Sequence, residues 1–185
     1  MKKILSAVLL ALLCGSGTSF ASDKTDEGCN TKQFSLGYEG VFAGDVLQGL
    51  SSRYWFNENL GGELNLFYGR VGVDFDYSDT NADLFLAELK MLYAPIVKEN
   101  SRFYVGLEGG IGSIGGDTIP DDVDITVYTI SPLIGTEFRF AEIPDVCFNW
   151  EVGYKFHRVN VDTEEGDVDV NIDGTFVTLG AHYYF

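Results

Sequence analysis

Four groups of residues in the 185-residue chain are of types and spacings that could do chemistry. Gly110, Gly112 and Gly115 spell G-x-G-x-x-G, the spacing that cradles a dinucleotide pyrophosphate when a helix follows. Here the continuation is Gly116-Asp117-Thr118-Ile119-Pro120-Asp121-Asp122, which offers no helix N-terminus and places carboxylates where an anion would sit. These glycines are expected to serve strand curvature and loop freedom instead. His157 stands near the hydroxyls of Thr129 and Ser131 in the expected fold, so activation of a hydroxyl by an imidazole is the second possibility. The third is cation binding by the acidic rows Asp167, Asp169, Asp173 and Asp122, Asp124, for which a solvated outer face is the favoured alternative. The fourth is a set of charges recurring at strand centres, Glu39, Glu63, Glu88, Glu108, Glu137 and Glu151 against Arg53, Lys90, Arg102, Arg139 and Lys155.

These charges are positioned by a period of two that runs through almost the whole chain. In the last segment Val177, Leu179, Ala181, Tyr183 and Phe185 share one face, and Phe176, Thr178, Gly180, His182 and Tyr184 share the other. The same alternation recurs in Phe148 to Phe156, Ile130 to Phe140, Phe103 to Ile111, Phe85 to Tyr93, Leu64 to Tyr68, Val46 to Phe56 and Phe34 to Phe42. Strand two fits least well, because Gln48 and Ser52 share its apolar face. Eight strands result, each near the ~9 to 11 residues that cross a bilayer at a tilt. The pattern predicts an all-β fold, an eight-stranded antiparallel transmembrane β-barrel.

A soluble barrel would also alternate, with its apolar side chains inward. The charges decide between the two, since every ionisable residue at a strand centre lies opposite the aromatics. A basic side chain facing lipid at mid-bilayer costs about 2 to 4 kcal/mol, so the aromatics are expected to face lipid and the charges to pair inside. Trp55, Phe67, Tyr104, Phe176 and Tyr184 are expected to fill the same interior.

Past one end of the strands the polarity of the two faces swaps while the period continues. Arg158, Asn160 and Asp162 turn outward against Val159 and Val161, and Asp167, Asp169, Asn171 and Asp173 against Val168, Val170 and Ile172. Asp122, Asp124 and Thr126 against Val123, Ile125 and Val127 repeat the swap, as do Asp74 and Asp76 against Val73, Phe75 and Tyr77. The wall is therefore expected to project beyond the lipid on the extracellular side and to close there over a small apolar core. Short turns, Asn57 to Gly61, Pro95 to Ser101 and Ala141 to Cys147, mark the periplasmic end.

The first residues carry Lys2 and Lys3, an apolar run from Ile4 to Leu13, and Ser19-Phe20-Ala21, the pattern of a secretory signal cleaved before Ser22. A lipid attached at Cys14 would need a small residue where Leu13 stands. The expected organisation is a signal peptide over 1–21, a periplasmic segment over 22–32 and the barrel over 33–185. Losing Lys2 and Lys3 takes the formal net charge from −16 to −18, which argues against nucleic acid as a partner. Cys29 and Cys147 fall at the same end of the barrel, and an oxidising periplasm favours a disulfide between them over two free thiols.

With eight strands and a terminal Phe185, the chain resembles the small outer-membrane barrels of the OmpX, Ail and opacity-protein type and the membrane half of OmpA. Arg53-Tyr54-Trp55-Phe56-Asn57-Glu58-Asn59 is similar to the strand-and-turn text of that group. Val177, Leu179, Ala181, Tyr183 and Phe185 resemble the signal read by the barrel-insertion machinery. The resemblance implies a Gram-negative outer membrane and, as partners, its lipid and lipopolysaccharide, the insertion machinery, periplasmic chaperones, and host or other surface proteins. Neither His157-Arg158-Val159 nor His182-Tyr183-Tyr184 carries the His-x-Ser of lipid A deacylase barrels. The expectation is a non-enzymatic protein with no catalytic, cofactor-binding or metal-ligating residue and no cofactor, acting structurally or at the cell surface through acidic projections. A small or gated pore is the transport alternative and a lipid A-modifying enzyme the catalytic one.

Overall fold

Alternating sequence of this kind satisfies its backbone only if each strand pairs on both sides, and the chain does so by closing on itself. The computed structural model describes residues 32–43, 47–75, 78–116, 123–163 and 166–185. Eight antiparallel strands follow one another around a closed barrel: β1 Phe34–Ala43, β2 Gln48–Trp55, β3 Leu60–Phe75, β4 Ser78–Lys98, β5 Ser101–Gly115, β6 Asp124–Arg139, β7 Val146–Thr163 and β8 Gly166–Tyr184. β1 closes the barrel against β8, with Tyr38 opposite Ala181 and Leu36 opposite Tyr183. The expected signal, the segment up to Thr31, Cys29, Asp76, Tyr77 and Asp122 lie outside the described residues, as do the side chains of Val73, Asp74, Phe75, Asp124, Asp162 and Asp167.

The apolar face points out. Leu50 is 68% exposed and Leu89 59%, whereas Arg53, Lys90 and Tyr104 are completely buried. A water-soluble barrel would show the reverse, so the outer face is built for lipid. Rings cluster at one end of it: Phe138, Phe140 and Phe148 pack with centroids 5.7 to 5.9 Å apart, and Phe185 meets both Phe34 and Tyr183. Tyr68 and Tyr128 stand at the other end, and the stretch of β6 between Tyr128 and Phe138 is about the length that crosses a bilayer. On β2 the outward Gln48 is reconciled with this face by Tyr38, whose hydroxyl donates to Gln48 Oε1 at 2.6 Å.

Local differences from expectation have local causes. β2 begins at Gln48 rather than Val46, after a short connection closed by the Val41 N–H to Leu47 carbonyl bond of 2.8 Å. Cys147 is the second residue of β7, not part of the turn, and is buried facing inward. Pro95 lies within β4, where the register with β5 shifts between Tyr93 and Ile96, as a residue without an N–H requires.

Six strands are longer than the bilayer demands, from 15 to 21 residues in β3 to β8, while β1 has 10 and β2 has 8. β8 pairs with β1 only from Val177 onward, so Gly166 to Phe176 pair with β7 alone. Likewise β3 pairs with β2 only up to Tyr68. At the end where β1 turns into β2 and β7 into β8, the wall therefore stands tall over six strands and drops to a notch above the β1–β2 hairpin.

Candidate functional site

At the end where β2 turns into β3 and β6 into β7, the interior begins with aromatic rings and guanidinium groups. Trp55 Nε1 donates to the Tyr184 hydroxyl at 3.1 Å, which in turn donates to Glu137 Oε2 at 3.1 Å. Arg102 lies over the Trp55 ring at 4.0 Å and donates to Glu137 Oε1 at 3.2 Å, and the half-buried Arg139 lies over the Tyr184 ring at 4.1 Å. Cys147 is at this level too; the expected disulfide partner, Cys29, lies outside the described residues.

One layer further in, Arg53 reaches Glu63, Glu137 at 2.8 Å and Glu151 at 3.1 Å, and the Tyr104 hydroxyl donates to Glu151 Oε1 at 2.7 Å. Lys90 is the next hub, with its ammonium 2.6 Å from Glu39, 2.6 Å from Glu151 and 2.9 Å from Glu63. Above it Lys155 bridges Glu88 at 2.7 Å and Glu108 at 3.0 Å. Glu39, Arg53, Glu63, Glu88, Lys90, Arg102, Glu108, Glu137, Glu151 and Lys155 are each at most 2% exposed. Pairs between neighbouring strands, such as Arg53–Glu63, Lys90–Glu63 and Arg102–Glu137, are joined by pairs that cross the barrel, such as Arg53–Glu137, Lys90–Glu39 and Lys155–Glu88, which is how charges from seven strands become one network.

Apolar side chains close this network from above: Val41, Leu47, Phe67, Leu86 and Phe176 are all buried. Val127 also faces inward and is buried, and Ile125, Val159 and Val161 are half-buried. The expected apolar core of the projecting wall stops there. Val168, Val170 and Ile172 are 55, 42 and 56% exposed, because β1 and β2 end too low to put anything opposite them.

Of the candidate catalytic groups, the Ser131 hydroxyl donates to Glu108 at 3.1 Å and that of Thr129 to Glu88 at 3.3 Å, and the half-buried His157 stands opposite Thr129 in the β6–β7 ladder. The G-x-G-x-x-G glycines lie within β5, with no helix after them among the described residues. Asp169 and Asp173 are exposed on the outer face of β8, where Arg158 pairs with Asp169 at 2.5 Å. On the same strand Leu179 and Tyr183 face outward at 46 and 47% exposure, followed by Phe185 just past its end at 61%, and Val177 and Ala181, on the same parity, are half-buried.

His182 is a residue whose surroundings the sequence left open. It is buried between Ser51 and Asn149, with Nε2 2.8 Å from Ser51 Oγ and Nδ1 3.1 Å from Asn149 Oδ1. Ser35, Ser51 and Thr178, likewise buried, had a signal available: all three fall on the inward parity of their strands.

No protein-family model matches the chain, and no curated relative does. Solved structures do. The outer membrane protein OprG from Pseudomonas aeruginosa is similar with a TM-score of 0.59 at 17% identity, over 86% of this chain and 99% of that one. The outer membrane protein AlkL in lipid bilayers is similar with a TM-score of 0.53 at 15% identity, over 91% of this chain and 96% of that one. With its lipid-facing exterior, its ion-paired interior and its closed sheet, the chain is by fold a small eight-stranded outer-membrane β-barrel.

Proposed function

We propose that the chain is a non-enzymatic protein of the Gram-negative outer membrane that acts at the cell surface through its projecting wall. The observation that carries this is the β7–β8 hairpin. On one face it exposes Val168, Val170 and Ile172, and on the other Asp169, Asn171 and Asp173. Three large apolar side chains left open to water beyond the bilayer lose stabilisation unless something covers them, at about 25 cal/mol per Å² of apolar surface. A partner surface that is apolar with a basic rim fits that hairpin.

The barrel's middle supports the same reading over a pore, since an eight-stranded interior is just wide enough to be filled and here the charges and rings fill it. Export through a cleaved signal and insertion through the terminal Val177, Leu179, Ala181, Tyr183 and Phe185 belong to this proposal.

The test is binding of serum and extracellular-matrix proteins to the barrel in lipid nanodiscs, comparing it with a triple variant Val168→Ser, Val170→Ser, Ile172→Ser. Binding that falls at least tenfold in the variant supports the proposal. Equal binding by both, or steady single-channel currents from the parent protein in planar bilayers, overturns it.

A further inference from the structure

The interior is not electrically balanced. Among the described residues six carboxylates, Glu39, Glu63, Glu88, Glu108, Glu137 and Glu151, are buried with four cations, Arg53, Lys90, Arg102 and Lys155. The fifth, Arg139, is half-buried at the end where β6 turns into β7. Counting it still leaves the carboxylates one ahead. Uncompensated charge in a space without water is expensive, so the interior calls for further positive charge.

The deficit has a location. Glu39 Oε1 accepts from Lys90, whereas Glu39 Oε2, on a side chain with no exposure, meets no N–H or hydroxyl donor, and the Glu39 carboxyl lies beside that of Glu63. Glu39 on β1, Glu63 on β3 and His182 on β8 each bring a donor atom to the same place, all within 4.8 Å of one another. His182 is set for ligation. In the tautomer that donates from Nδ1 to Asn149 Oδ1, Nε2 presents its lone pair with the Ser51 hydroxyl beside it. A metal-binding histidine is held in this way, by a hydrogen bond from its other nitrogen to an oxygen.

The backbone makes room for this arrangement at the cost of two side chains. A Cβ on Gly37 would lie 2.6 Å from His182 Cδ2, and one on Gly180 would lie 2.5 Å from Asn149 Oδ1. Ser51, Asn65, Asn149 and Lys90 surround the three donors. Neighbouring donor atoms around a tetrahedral zinc ion are roughly 3.4 Å apart, so the three would each close in by less than about 1 Å.

We infer that Glu39, Glu63 and His182 form a buried binding site for one divalent cation of the zinc class, tying β1, β3 and β8 together inside the barrel. Imidazole with two carboxylates is a borderline donor set that favours zinc over calcium or magnesium. One such ion offsets the two-charge deficit of the buried network. Because the site lies between closed layers, the ion enters as the barrel closes and is thereafter held against chelators.

The mature chain would be unfolded in urea, refolded into detergent with zinc, treated with EDTA, separated by gel filtration and analysed for metal. The expected result is about one equivalent of zinc retained, falling at least tenfold in Glu39→Gln and in His182→Asn, with both variants keeping the heat-dependent gel shift of a closed barrel. Refolding with cobalt in place of zinc supplies a readout that needs no variant to fold: the parent protein should show visible d–d absorption that persists in EDTA. A closed parent barrel that retains no metal and shows no such absorption overturns the inference and assigns the balancing charge to protons. Equal retention by parent and folded variants also overturns it, because the ion would then be bound elsewhere, as on the acidic rim.

Discussion

Removing the Lys90 ammonium is the sharpest probe of the interior. Lys90→Met keeps most of the unbranched stem and deletes four ion pairs, to Glu39 and Glu151 at 2.6 Å each, Glu63 at 2.9 Å and Glu108 at 3.7 Å, all among buried groups. Hydrogen bonds to charged groups contribute about 1.5 to 3 kcal/mol each, and part of that gross figure only offsets the dehydration of the ammonium in the folded protein. What remains is the cost of leaving buried carboxylates without their cation, about 3 to 5 kcal/mol. With a urea dependence of about 2 kcal/mol per molar, the midpoint of unfolding in lipid vesicles should fall by about 2 M, read from the disappearance of the faster-migrating unboiled band. Adding Glu151→Gln to Lys90→Met should recover part of the loss, since one uncompensated charge disappears with it. A single variant as stable as the parent, or a double variant whose loss is the sum of the two singles, would refute the account of Lys90 as the hub of one coupled network.

Other outcomes follow from other layers. Leu50→Arg, at the most exposed apolar position of the lipid face, should destabilise the inserted barrel by about 2 to 4 kcal/mol by urea titration in vesicles, and no change would mean that this face does not meet lipid. Phe67→Ala, deep in the apolar layer above the charges, should cost about 3 to 5 kcal/mol in the same titration. Gly37→Ala should reduce the yield of heat-shifted band on refolding, because its methyl would lie 2.2 Å from the Ala181 carbonyl oxygen and 2.6 Å from the His182 ring. Alkylation in denaturant should modify neither Cys29 nor Cys147 until a reductant is added; labelling beforehand would rule out the bond between them.

The fold was legible because a bilayer leaves so few solutions. Alternation such as Phe148 to Phe156, with charges always opposite the rings, implies a closed sheet with its polar face inward, and the structure has eight strands in sequence order. The partners inside were not legible. Lys90 and Glu151 are 61 residues apart and Arg53 and Glu151 are 98, and their meeting depends on strand tilt and stagger around the whole circumference. The same limit explains the rim. Val168, Val170 and Ile172 have the parity of an interior, but whether they are covered depends on how high β1 and β2 rise on the other side. The surroundings of Cys147 depended on a strand starting at Val146 rather than after the turn.

The seam between β1 and β8 also bears on how the molecule is made. These strands are farthest apart in the chain, and their ladder is interrupted by a register shift between Val41 and Ala43. Every other adjacent pair is joined by a short connection and can zip up from its turn, so entropy places the closing pair last on the folding pathway. Until then the sheet is an open strip carrying free edges on β1 and β8, and its carboxylates and cations are still hydrated. Closure and dehydration are thus one cooperative event, and the slowest step of assembly should respond to substitutions at the seam far more than to those in the β3–β4 hairpin.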